Sequence, residues 1–377
     1  MIEIMDKINV LHVVGMMDFG GTEALLMNLL RTIDRSQFQF DFVEQTQKEC
    51  AHDAEILSLG SKIYRCPHIK ATNLRDYREW WRAFFAQHPE YQIIHGHSRG
   101  SGPIYMDEAR KAGRIVVAHC HNNSHGKGIK GLIRFIWQLP LRRLGDYNFA
   151  CSTDSGISQY GKHANFTVIR NGIPVERFKW NPKERLVTRQ ELHFSDEDIV
   201  VGNVARFEPQ KNHIFLLRIF RALHRLEPRA KLLLIGTGTL EPEVRASVRH
   251  FNLESCVLFA GNRADVYRYY QAMDLFVLPS LFEGLGIVNI EAQAAGLPCF
   301  VSDKVVAPEC KVTNLMHFIP LQHSPEQWAN TILETITQGF RREDHTAEVR
   351  TAGFDIQDTA NDLCEFYRKA LKEHGKV

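Results

Sequence analysis

Two glutamates, eight positions apart, lie in a glycine-containing segment that covers residues 279–298. Glycines 284 and 286 allow the backbone to approach a ligand closely. The helix predicted after them would begin with free N–H groups and a positive dipole end, which favour a diphosphate. If most of the interval is helical, Glu283 and Glu291 lie roughly 10 Å apart. Because the carboxylates of a retaining glycosidase are only ~5–5.5 Å apart, we expect the pair to hold two ends of one extended ligand.

Two cations share the loop that follows a predicted strand at residues 199–204. They are Arg206 and Lys211. Fixed positive charges can stabilise a departing diphosphate without a metal ion. The loop therefore predicts a site at which a bond to a diphosphate is broken.

Three more pairs of small or polar residues directly follow predicted strands. They are Gly20 with Gly21, Gly236 with Gly238, and Asn262 with Arg263. The first pair also precedes a helical pattern, and a strand, a glycine-rich turn and a helix are typical of nucleotide-binding α/β folds. A Gly-x-Gly pair alone is a weak signal. These loops indicate a binding site only in combination with the glutamates and cations described above.

Four histidines form two His-x-His pairs at the ends of predicted strands. His95 pairs with His97, and His119 pairs with His121. Four imidazoles are a ligand set that zinc accepts. We expect, however, that the two members of each pair point in opposite directions and that each histidine is held separately. The sequence therefore predicts no metal site.

Strand and helix patterns alternate along the chain in two series, which predicts two parallel α/β sheets with helices on both faces. Between the series, residues 168–174 carry Asn-Gly and Pro turn signals. The predicted domains are residues 1–170, residues 171–358, and a final helix at 359–377 that returns to the first domain. In such sheets ligands bind outside the carboxyl ends of the strands. The predicted strands are residues 8–14, 40–43, 92–95, 115–118, 199–204, 231–235, 257–261 and 275–279.

The run EGLGIVNIEAQAAGLP at residues 283–298 resembles the motif of family 4 retaining glycosyltransferases, in particular the subgroup that builds bacterial exopolysaccharide and capsule. The resemblance extends over nearly the whole chain. It implies the GT-B fold, in which two tandem Rossmann-like domains face each other across a cleft. It also implies a hexosyltransferase that moves a hexose or N-acetylhexosamine from a nucleotide diphosphate, with UDP favoured, to a saccharide or polyprenyl-diphosphate-linked acceptor. Retention of configuration, and no metal or other cofactor, are expected.

The resemblance also implies roles for individual positions. Glu283 would bind hydroxyls of the donor sugar, and Glu291 would bind the ribose hydroxyls. His121 would lie near the reacting sugar carbon, with His119 as the competing alignment. Arg206 and Lys211 would stabilise the diphosphate while the acceptor attacks from the same face, with a diphosphate oxygen as proton acceptor. The other implied donor-binding positions are Gly20, Gly21, Gly236, Gly238, Asn262, Arg263, Gly284, Leu285 and Gly286.

The composition sets limits on partners and on location. A net charge of +2 over 377 residues does not favour a dedicated nucleic-acid binder. No apolar stretch approaches the ~20 residues of a membrane span, and the first residues lack a signal-peptide pattern. Eight scattered cysteines fit a reducing compartment. We therefore expect a cytoplasmic protein whose membrane contact, if it has one, is peripheral on the inner face.

Residues 127–143 interleave cations with Ile, Leu, Phe and Trp. This pattern is typical of a peripheral helix on an anionic membrane surface. It is equally typical of a helix on a domain surface whose apolar side packs inward. The sequence leaves both possibilities open.

Other functions on the same fold remain alternatives at this point. They are a nucleotide-sugar epimerase, a phosphorylase and a non-catalytic subunit that binds a nucleotide sugar. The presence of both glutamates and both cations argues against the non-catalytic subunit. Hydride transfer is disfavoured because the glycines after the first strand depart from the Gly-x-Gly-x-x-Gly pattern.

Overall fold

A computed structural model of the protein describes residues 7–122 and 128–376, which form two compact units. Unit 1 consists of the chain up to Gly172 and the segment from Ile356 onwards, and unit 2 consists of Ile173–Asp355. The sequence predicts these boundaries at 170/171 and 358/359. No helix among the described residues has both the length and the apolar character needed to cross a bilayer.

Unit 1 contains a parallel sheet in which seven described strands follow the order β3-β2-β1-β4-β5-β6-β7. The strands are β1 (Ile8–Val14), β2 (Phe38–Glu44), β3 (Ile63–Arg65), β4 (Ile93–Gly96), β5 (Ile115–Cys120), β6 (Tyr147–Ala150) and β7 (Thr167–Val168). The helices, numbered along the whole chain, are α1 (Gly21–Thr32), α2 (Asp53–Ser58), α3 (Leu74–Gln87), α4 (Gly102–Lys111), α5 (Gly128–Gln138), α6 (Leu141–Leu144), α7 (Thr153–Tyr160) and α16 (Ile356–Glu373).

Side chains of unit 1 alternate between the two faces of its sheet, because successive strand residues point to opposite sides. Val10 and Val117 lie in a core with Leu363 of α16, on the face that α1 and α16 cover. Leu11 lies in a second core with Trp81 of α3. All five of these side chains are essentially inaccessible to water, and burial of each contributes about 1.5–3 kcal/mol. Both faces are therefore covered, as expected of a parallel sheet.

Unit 2 repeats this construction with six described strands in the order β10-β9-β8-β11-β12-β13, all parallel. The strands are β8 (Ile199–Val204), β9 (Ala230–Ile235), β10 (Val257–Gly261), β11 (Leu275–Leu278), β12 (Cys299–Ser302) and β13 (Met316–Ile319). The helices are α8 (Val175–Phe178), α9 (Pro182–Glu191), α10 (His213–Leu226), α11 (Glu241–His250), α12 (Val266–Ala272), α13 (Ile287–Ala294), α14 (Pro325–Thr337) and α15 (Thr346–Thr351). Two short 3-10 turns lie at Pro209–Lys211 and Pro308–Cys310.

All eight predicted strands are present, with ends that differ by at most a few residues. The sequence prediction missed five others, β3, β6, β7, β12 and β13, each of four residues or fewer. Runs this short show no periodicity that distinguishes a buried strand from a loop. The predicted α/β class with two parallel sheets is confirmed.

Candidate functional site

Four neighbouring strands of unit 2 end at the loops predicted to hold the donor. Strand β8 leads into residues 205–212, β9 into 236–240, β10 into 262–265 and β11 into 279–286. Because the strands are parallel, their carboxyl ends meet at one edge of the sheet, which is where α/β proteins bind ligands. The fold therefore brings all four predicted loops of unit 2 to the same edge.

Lys211 and Glu283 form an ion pair at this edge. Lys211 Nζ donates to Glu283 Oε1 at 2.6 Å, and Ser280 Oγ donates to the same oxygen at 2.6 Å. The Glu283 side chain is 4% exposed and that of Lys211 is 14% exposed. Two of the positions predicted to be catalytic are thus in direct contact, in a setting where loss of one partner would leave a buried unpaired charge.

The loops that carry this pair are joined to each other by hydrogen bonds. Gln210 Nε2 donates to Phe282 O at 2.7 Å, and Leu281 N donates to Gln210 O at 2.8 Å. Asn212 Nδ2 donates to Pro279 O at 3.1 Å. Asn212 also has φ 57°, a left-handed conformation that asparagine tolerates better than most residues. The relative position of Lys211 and Glu283 is therefore fixed by hydrogen bonds between the two loops, one between backbone groups and two from side-chain amides to backbone carbonyls.

Glu291 lies in α13, in the second turn after Gly286, the residue that caps the helix. It is 8% exposed, and Tyr270 Oη of α12 donates to its Oε2 at 2.9 Å. Burial raises the pKa of Glu291 to about 7, although the hydrogen bond from Tyr270 acts in the opposite direction. Gly286 has φ 76°, so it makes the left-handed turn that leads into the helix.

Gly236 and Gly238 are required by the approach of the neighbouring loop. A Cβ on Gly236 would lie 2.2 Å from Ala205 O, and one on Gly238 would lie 2.5 Å from Phe207 O. Both glycines therefore let the loop after β9 pack directly on the loop after β8. This close packing explains the glycines without a ligand, and it also holds the backbone beside Arg206 in place.

The remaining predicted positions of unit 2 differ in exposure. Arg206, Asn262 and Arg263 are exposed, whereas Leu285 is buried and Gly284 is partly buried. Asn262 Nδ2 donates to Thr237 Oγ1 at 2.8 Å, which links the loops after β9 and β10. Arg206 is thus a cation available to solvent on the loop that also carries Lys211.

In unit 1, Gly20 and Gly21 lie where β1 leads into α1. Gly20 has extended backbone angles and caps the helix, and Gly21 is its first residue. The first N–H groups of a helix have no partner within it, and they attract anions. The predicted glycine loop is therefore at a helix N-terminus at the carboxyl edge of the unit 1 sheet.

The predicted histidines do not point apart, so that expectation is wrong. His97 Nδ1 lies 2.8 Å from His121 Nε2, and His95 Nε2 lies 3.1 Å from His119 Nδ1. The physical reason is the two-residue period of a strand, which puts positions i and i+2 on the same face. A fifth histidine, His12 of β1, joins them with its Nδ1 at 3.0 Å from His97 Nε2.

We call these five residues the histidine array. Burial lowers the pKa of His12 and of His121 to about 3. It also lowers the pKa of His95, His97 and His119 well below the ordinary value. The array is therefore neutral near pH 7, and each imidazole offers one N–H donor and one acceptor nitrogen.

Sequence analysis missed several residues that contact the predicted site. Ser280 and Gln210 bond to Glu283 or to its loop, and Tyr270 bonds to Glu291. No motif distinguishes these three. His12, in contrast, lies inside a predicted strand. A polar residue in an apolar run indicates a buried polar group, and this signal distinguishes His12.

Comparison with known proteins gives the same assignment for both halves of the chain. Residues 184–351 match the family described as "Glycosyl transferases group 1", and residues 19–177 match "Glycosyltransferase Family 4". The Bacillus subtilis (strain 168) protein EpsF, whose name describes it as a glycosyltransferase, is 32% identical over 97% of this chain and 98% of its own. The Escherichia coli UDP-Gal:alpha-D-GlcNAc-diphosphoundecaprenol alpha-1,3-galactosyltransferase is 26% identical over 82% of each chain.

Among solved structures, Anabaena HepE in complex with UDP-glucose superimposes with a TM-score of 0.74 and 20% identity, over 98% of this chain and all of HepE. At this identity the likeness concerns the fold, the two-domain α/β GT-B fold. With residues 184–351 matched by the group 1 glycosyltransferase model, residues 19–177 matched by the family 4 model, and EpsF related over nearly the full length, this chain belongs to the family 4 glycosyltransferases.

Proposed function

We propose that the protein transfers a hexose or N-acetylhexosamine from UDP, with retention of configuration, to a saccharide or polyprenyl-diphosphate-linked acceptor in cell-surface polysaccharide synthesis. The observation that supports this most is the 2.6 Å contact between Lys211 Nζ and Glu283 Oε1. It joins a cation suited to a diphosphate to a carboxylate suited to sugar hydroxyls. The junction of sugar and phosphate is the bond that such an enzyme breaks.

Although Lys211 and Glu283 bind each other, each still has atoms that can form hydrogen bonds with a substrate. Lys211 has two more N–H donors than the one directed at Glu283, and these can bind phosphate oxygens. Among the described residues, Glu283 Oε2 has only a long contact of 3.4 Å, with Gln210 Nε2, so it can accept from a sugar hydroxyl. Arg206 adds a second positive charge on the same loop. Positive groups that are already in place stabilise the leaving diphosphate without the cost of reorganisation.

The nucleotide end of the donor is assigned to Glu291 and the start of α13. The helix N-terminus at Gly286 offers N–H groups to the diphosphate, and Glu291 offers a carboxylate to the ribose hydroxyls. Tyr270 holds one oxygen of that carboxylate at 2.9 Å, which leaves the other oxygen for the ribose. Gly284, Leu285 and the loops with Gly236, Gly238, Asn262 and Arg263 complete the proposed donor site.

In unit 1 the proposed contacts to the sugar come from neutral groups. His121 is assigned to the region of the reacting sugar carbon, and Gly20 and Gly21 to the transferred sugar and phosphate. A neutral imidazole can exchange hydrogen bonds with hydroxyls without bringing a second charge to the reacting centre. We assign the site histidine to His121 rather than His119 because His121 is partly exposed and His119 is only 3% exposed.

The donor and the acceptor class are supported by relatives. The name of the Escherichia coli relative specifies a UDP-galactose donor and an acceptor linked to diphosphoundecaprenol. HepE was crystallised with UDP and with UDP-glucose. We extend the UDP donor and the lipid-linked acceptor to this chain as proposals.

The reaction is tested with purified protein, a panel of UDP-, GDP- and ADP-sugars, and a synthetic polyprenyl-diphosphate sugar in excess chelator. We expect UDP release that depends on the acceptor, and NMR of the product should show the anomeric configuration of the donor. An inverted product would contradict retention, and loss of turnover in chelator that added Mg²⁺ restores would contradict metal independence. Free UDP-sugar isomers formed without acceptor would identify an epimerase instead.

Helix α5 carries an exposed apolar surface that bears on where the enzyme meets a lipid-linked acceptor. Ile129, Leu132, Ile133 and Ile136 recur at positions i, i+3, i+4 and i+7, and they are between 56% and 79% exposed. Within the described residues, the alternative that the apolar side of this helix packs inward is therefore wrong. Lys130 and Arg134 of the same helix are also exposed. Lys127, at the start of the predicted segment, lies outside the described residues.

We propose that these four apolar residues insert into an anionic membrane surface, where Lys130 and Arg134 contact the lipid headgroups. Trp137 Nε1 donates to Gly100 O at 2.7 Å, so the helix is anchored to unit 1 at its last turn. This would bring the enzyme to the inner face of the membrane, where a polyprenyl-linked acceptor is found.

Flotation with phosphatidylglycerol vesicles tests this surface. The wild type should float with the vesicles, and the double variant Ile129→Asp, Ile133→Asp should remain in solution. Leu186→Asp in α9 is a matched control, because Leu186 is 50% exposed but lies in unit 2. Equal flotation of the double variant and the wild type would refute the proposal.

A further inference from the structure

Three members of the histidine array lie close enough together to share one ligand. His97, His119 and His121 each have a ring nitrogen within 4.8 Å of a ring nitrogen of the other two. His97 directly follows β4, His119 lies in β5 and His121 directly follows β5. These two strands pair in parallel, so the sheet itself brings the three residues together. We infer that these three histidines form a binding site for one transition-metal ion that prefers nitrogen ligands, with Zn²⁺ as the reference ion. This inference does not depend on the proposed donor or acceptor.

The first argument is the arrangement of the nitrogens. His119 Nε2 is buried and has no hydrogen-bond partner among the residues that the structure describes. His97 Nδ1 and His121 Nε2 face each other at 2.8 Å. Two nitrogens that bind one zinc ion at 2.0–2.1 Å in tetrahedral geometry lie about 3.4 Å apart. An increase of about 0.6 Å in the distance between these two nitrogens, by side-chain rotation, would therefore match the spacing of two ligands on one zinc ion.

The second argument is the set of residues behind the three ligands. A histidine that binds a metal through one nitrogen usually donates its other N–H to a fixed partner, which sets the tautomer and the ring orientation. His119 has such a partner, because its Nδ1 lies 3.1 Å from His95 Nε2. His97 has one as well, because its Nε2 lies 3.0 Å from His12 Nδ1.

His95, which is the partner of His119, has a further hydrogen-bond partner of its own. Its Nδ1 lies 2.6 Å from the hydroxyl of Tyr367 in α16. If His95 accepts from His119, its own proton is on Nδ1 and points at this hydroxyl. With an ion bound, one assignment of protons directs lone pairs of His97 Nδ1, His119 Nε2 and His121 Nε2 at the ion, with every imidazole neutral. In that assignment the ion replaces the hydrogen bond between His97 and His121. The protons of His12 and His121 then lie on Nε2 and Nδ1, which are buried and have no partner among the described residues.

The donor set determines the class of ion. Three imidazoles and no carboxylate suit Zn²⁺, Co²⁺, Ni²⁺ or Cu²⁺, whereas Mg²⁺ and Ca²⁺ prefer oxygen ligands. Three protein ligands leave the fourth position of a tetrahedral ion open. Glu44, Cys50 and Asp53 also lie close together, but both carboxylates are paired with Arg65, so we assign no ion to them.

An ion at this site would occupy Nε2 of His121. The ion and a sugar that needs this nitrogen would therefore compete, and added Zn²⁺ should inhibit transfer at concentrations that fill the site. Catalysis without a metal and a metal site in unit 1 are compatible, because the positive charges proposed to stabilise the diphosphate, Arg206 and Lys211, belong to unit 2.

The experiment uses the full chain without a histidine tag, dialysed against chelator and then titrated with Co²⁺. We expect one Co²⁺ per chain, visible absorption bands of tetrahedral Co²⁺, and displacement of these bands by Zn²⁺. Thermal unfolding should shift to higher temperature with Zn²⁺. A folded wild-type protein that binds less than about a tenth of an equivalent and gives no tetrahedral spectrum would overturn the inference.

Variants separate this site from adventitious binding. His119→Phe keeps a ring beside Phe149 but removes a ligand, so the spectrum should disappear. His95→Phe removes a supporting partner only, so one ion should still bind with affinity about 10–100-fold weaker. The exposed His163→Ala variant is the control and should match the wild type. If His119→Phe misfolds, the Zn²⁺-dependent thermal shift of His121→Asn replaces it. Retained binding in the ligand variants would overturn the site.

Discussion

The sheets of unit 1 and unit 2 are built alike, but their carboxyl edges carry different side chains. Unit 2 places Lys211, Arg206 and Glu283 there, in loops joined by hydrogen bonds, and Glu291 in the helix that follows. Unit 1 places five histidines there, all with a pKa far below the ordinary value. The groups assigned to the site in unit 2 are therefore charged, whereas the histidines of unit 1 are polar but neutral.

The difference corresponds to the two kinds of group in a nucleotide sugar. A diphosphate needs fixed positive charge, whereas sugar hydroxyls need donors and acceptors that carry no net charge. The comparison implies that substitutions in unit 2 act through charge and respond to pH, whereas those in unit 1 act through packing and hydrogen bonding. Three experiments test this difference, from the largest expected effect to the smallest.

The first experiment removes the positive charge of the buried pair. Lys211→Met should lower kcat with the proposed UDP donor by about 10²–10³-fold, because a fixed group that stabilises the leaving diphosphate is lost. Lys183→Met in α9 removes an exposed cation of the same unit and should have no effect. Assays should be run well below the unfolding temperature, since the variant leaves Glu283 without its partner. A change of less than about threefold would contradict the proposed role of Lys211.

The second experiment uses the raised pKa of Glu291. The folded pKa is about 7 and the ordinary value is 4.5, so the folded state binds the proton more tightly than the unfolded state. Stability from this group is present below pH 4.5 and is lost as the pH rises through 7. Glu291→Gln should therefore gain stability relative to the wild type between pH 4.5 and pH 8, by up to about 3 kcal/mol.

Urea unfolding of both proteins at a series of pH values measures this difference. The glutamine can still accept the hydrogen bond from Tyr270, so the variant changes the charge and little else. Glu243→Gln in α11, in which an exposed glutamate is neutralised, is the control and should show a flat difference. A difference between wild type and Glu291→Gln that does not change with pH would contradict the raised pKa.

The third experiment concerns unit 1. Tyr367→Phe removes the hydroxyl that lies 2.6 Å from His95 Nδ1 and leaves a buried nitrogen unpaired. We expect a loss of about 1 kcal/mol in the free energy of unfolding. The matched control is Tyr147→Phe, which removes an exposed hydrogen bond to Glu373 and should cost less. If both variants lost the same free energy of unfolding, the hydrogen bond between Tyr367 and the histidine array would be no stronger than an exposed tyrosine hydrogen bond.

The strands and the proposed donor loops of unit 2 could be predicted from the sequence because their signals are local. Arg206, Gly236, Asn262 and Glu283 each follow a strand within a few residues, and parallel strands end at one edge. What could not be predicted are contacts between segments far apart in the chain. Tyr270 reaches Glu291 from another helix, and its sequence position gives no sign of this.

The histidines show a different kind of failure. The sequence places them at the ends of strands, but the predicted directions of their side chains were wrong. The two-residue period of a strand puts His95 and His97 on one face, and likewise His119 and His121. The exposure of the apolar stripe on α5 could not be known either. A sequence pattern shows that one side of a helix is apolar but not whether another element covers it.

The path of the chain has a consequence for its synthesis. Unit 2 is continuous from Ile173 to Asp355, whereas unit 1 is completed by α16, whose Leu363 and Tyr367 belong to its core. A ribosome therefore makes every residue of unit 2 before it makes α16. We expect the nascent first half of the chain to keep an apolar surface uncovered until α16 has been made. An early stop codon after Asp355 would thus damage the half of the enzyme that was made first.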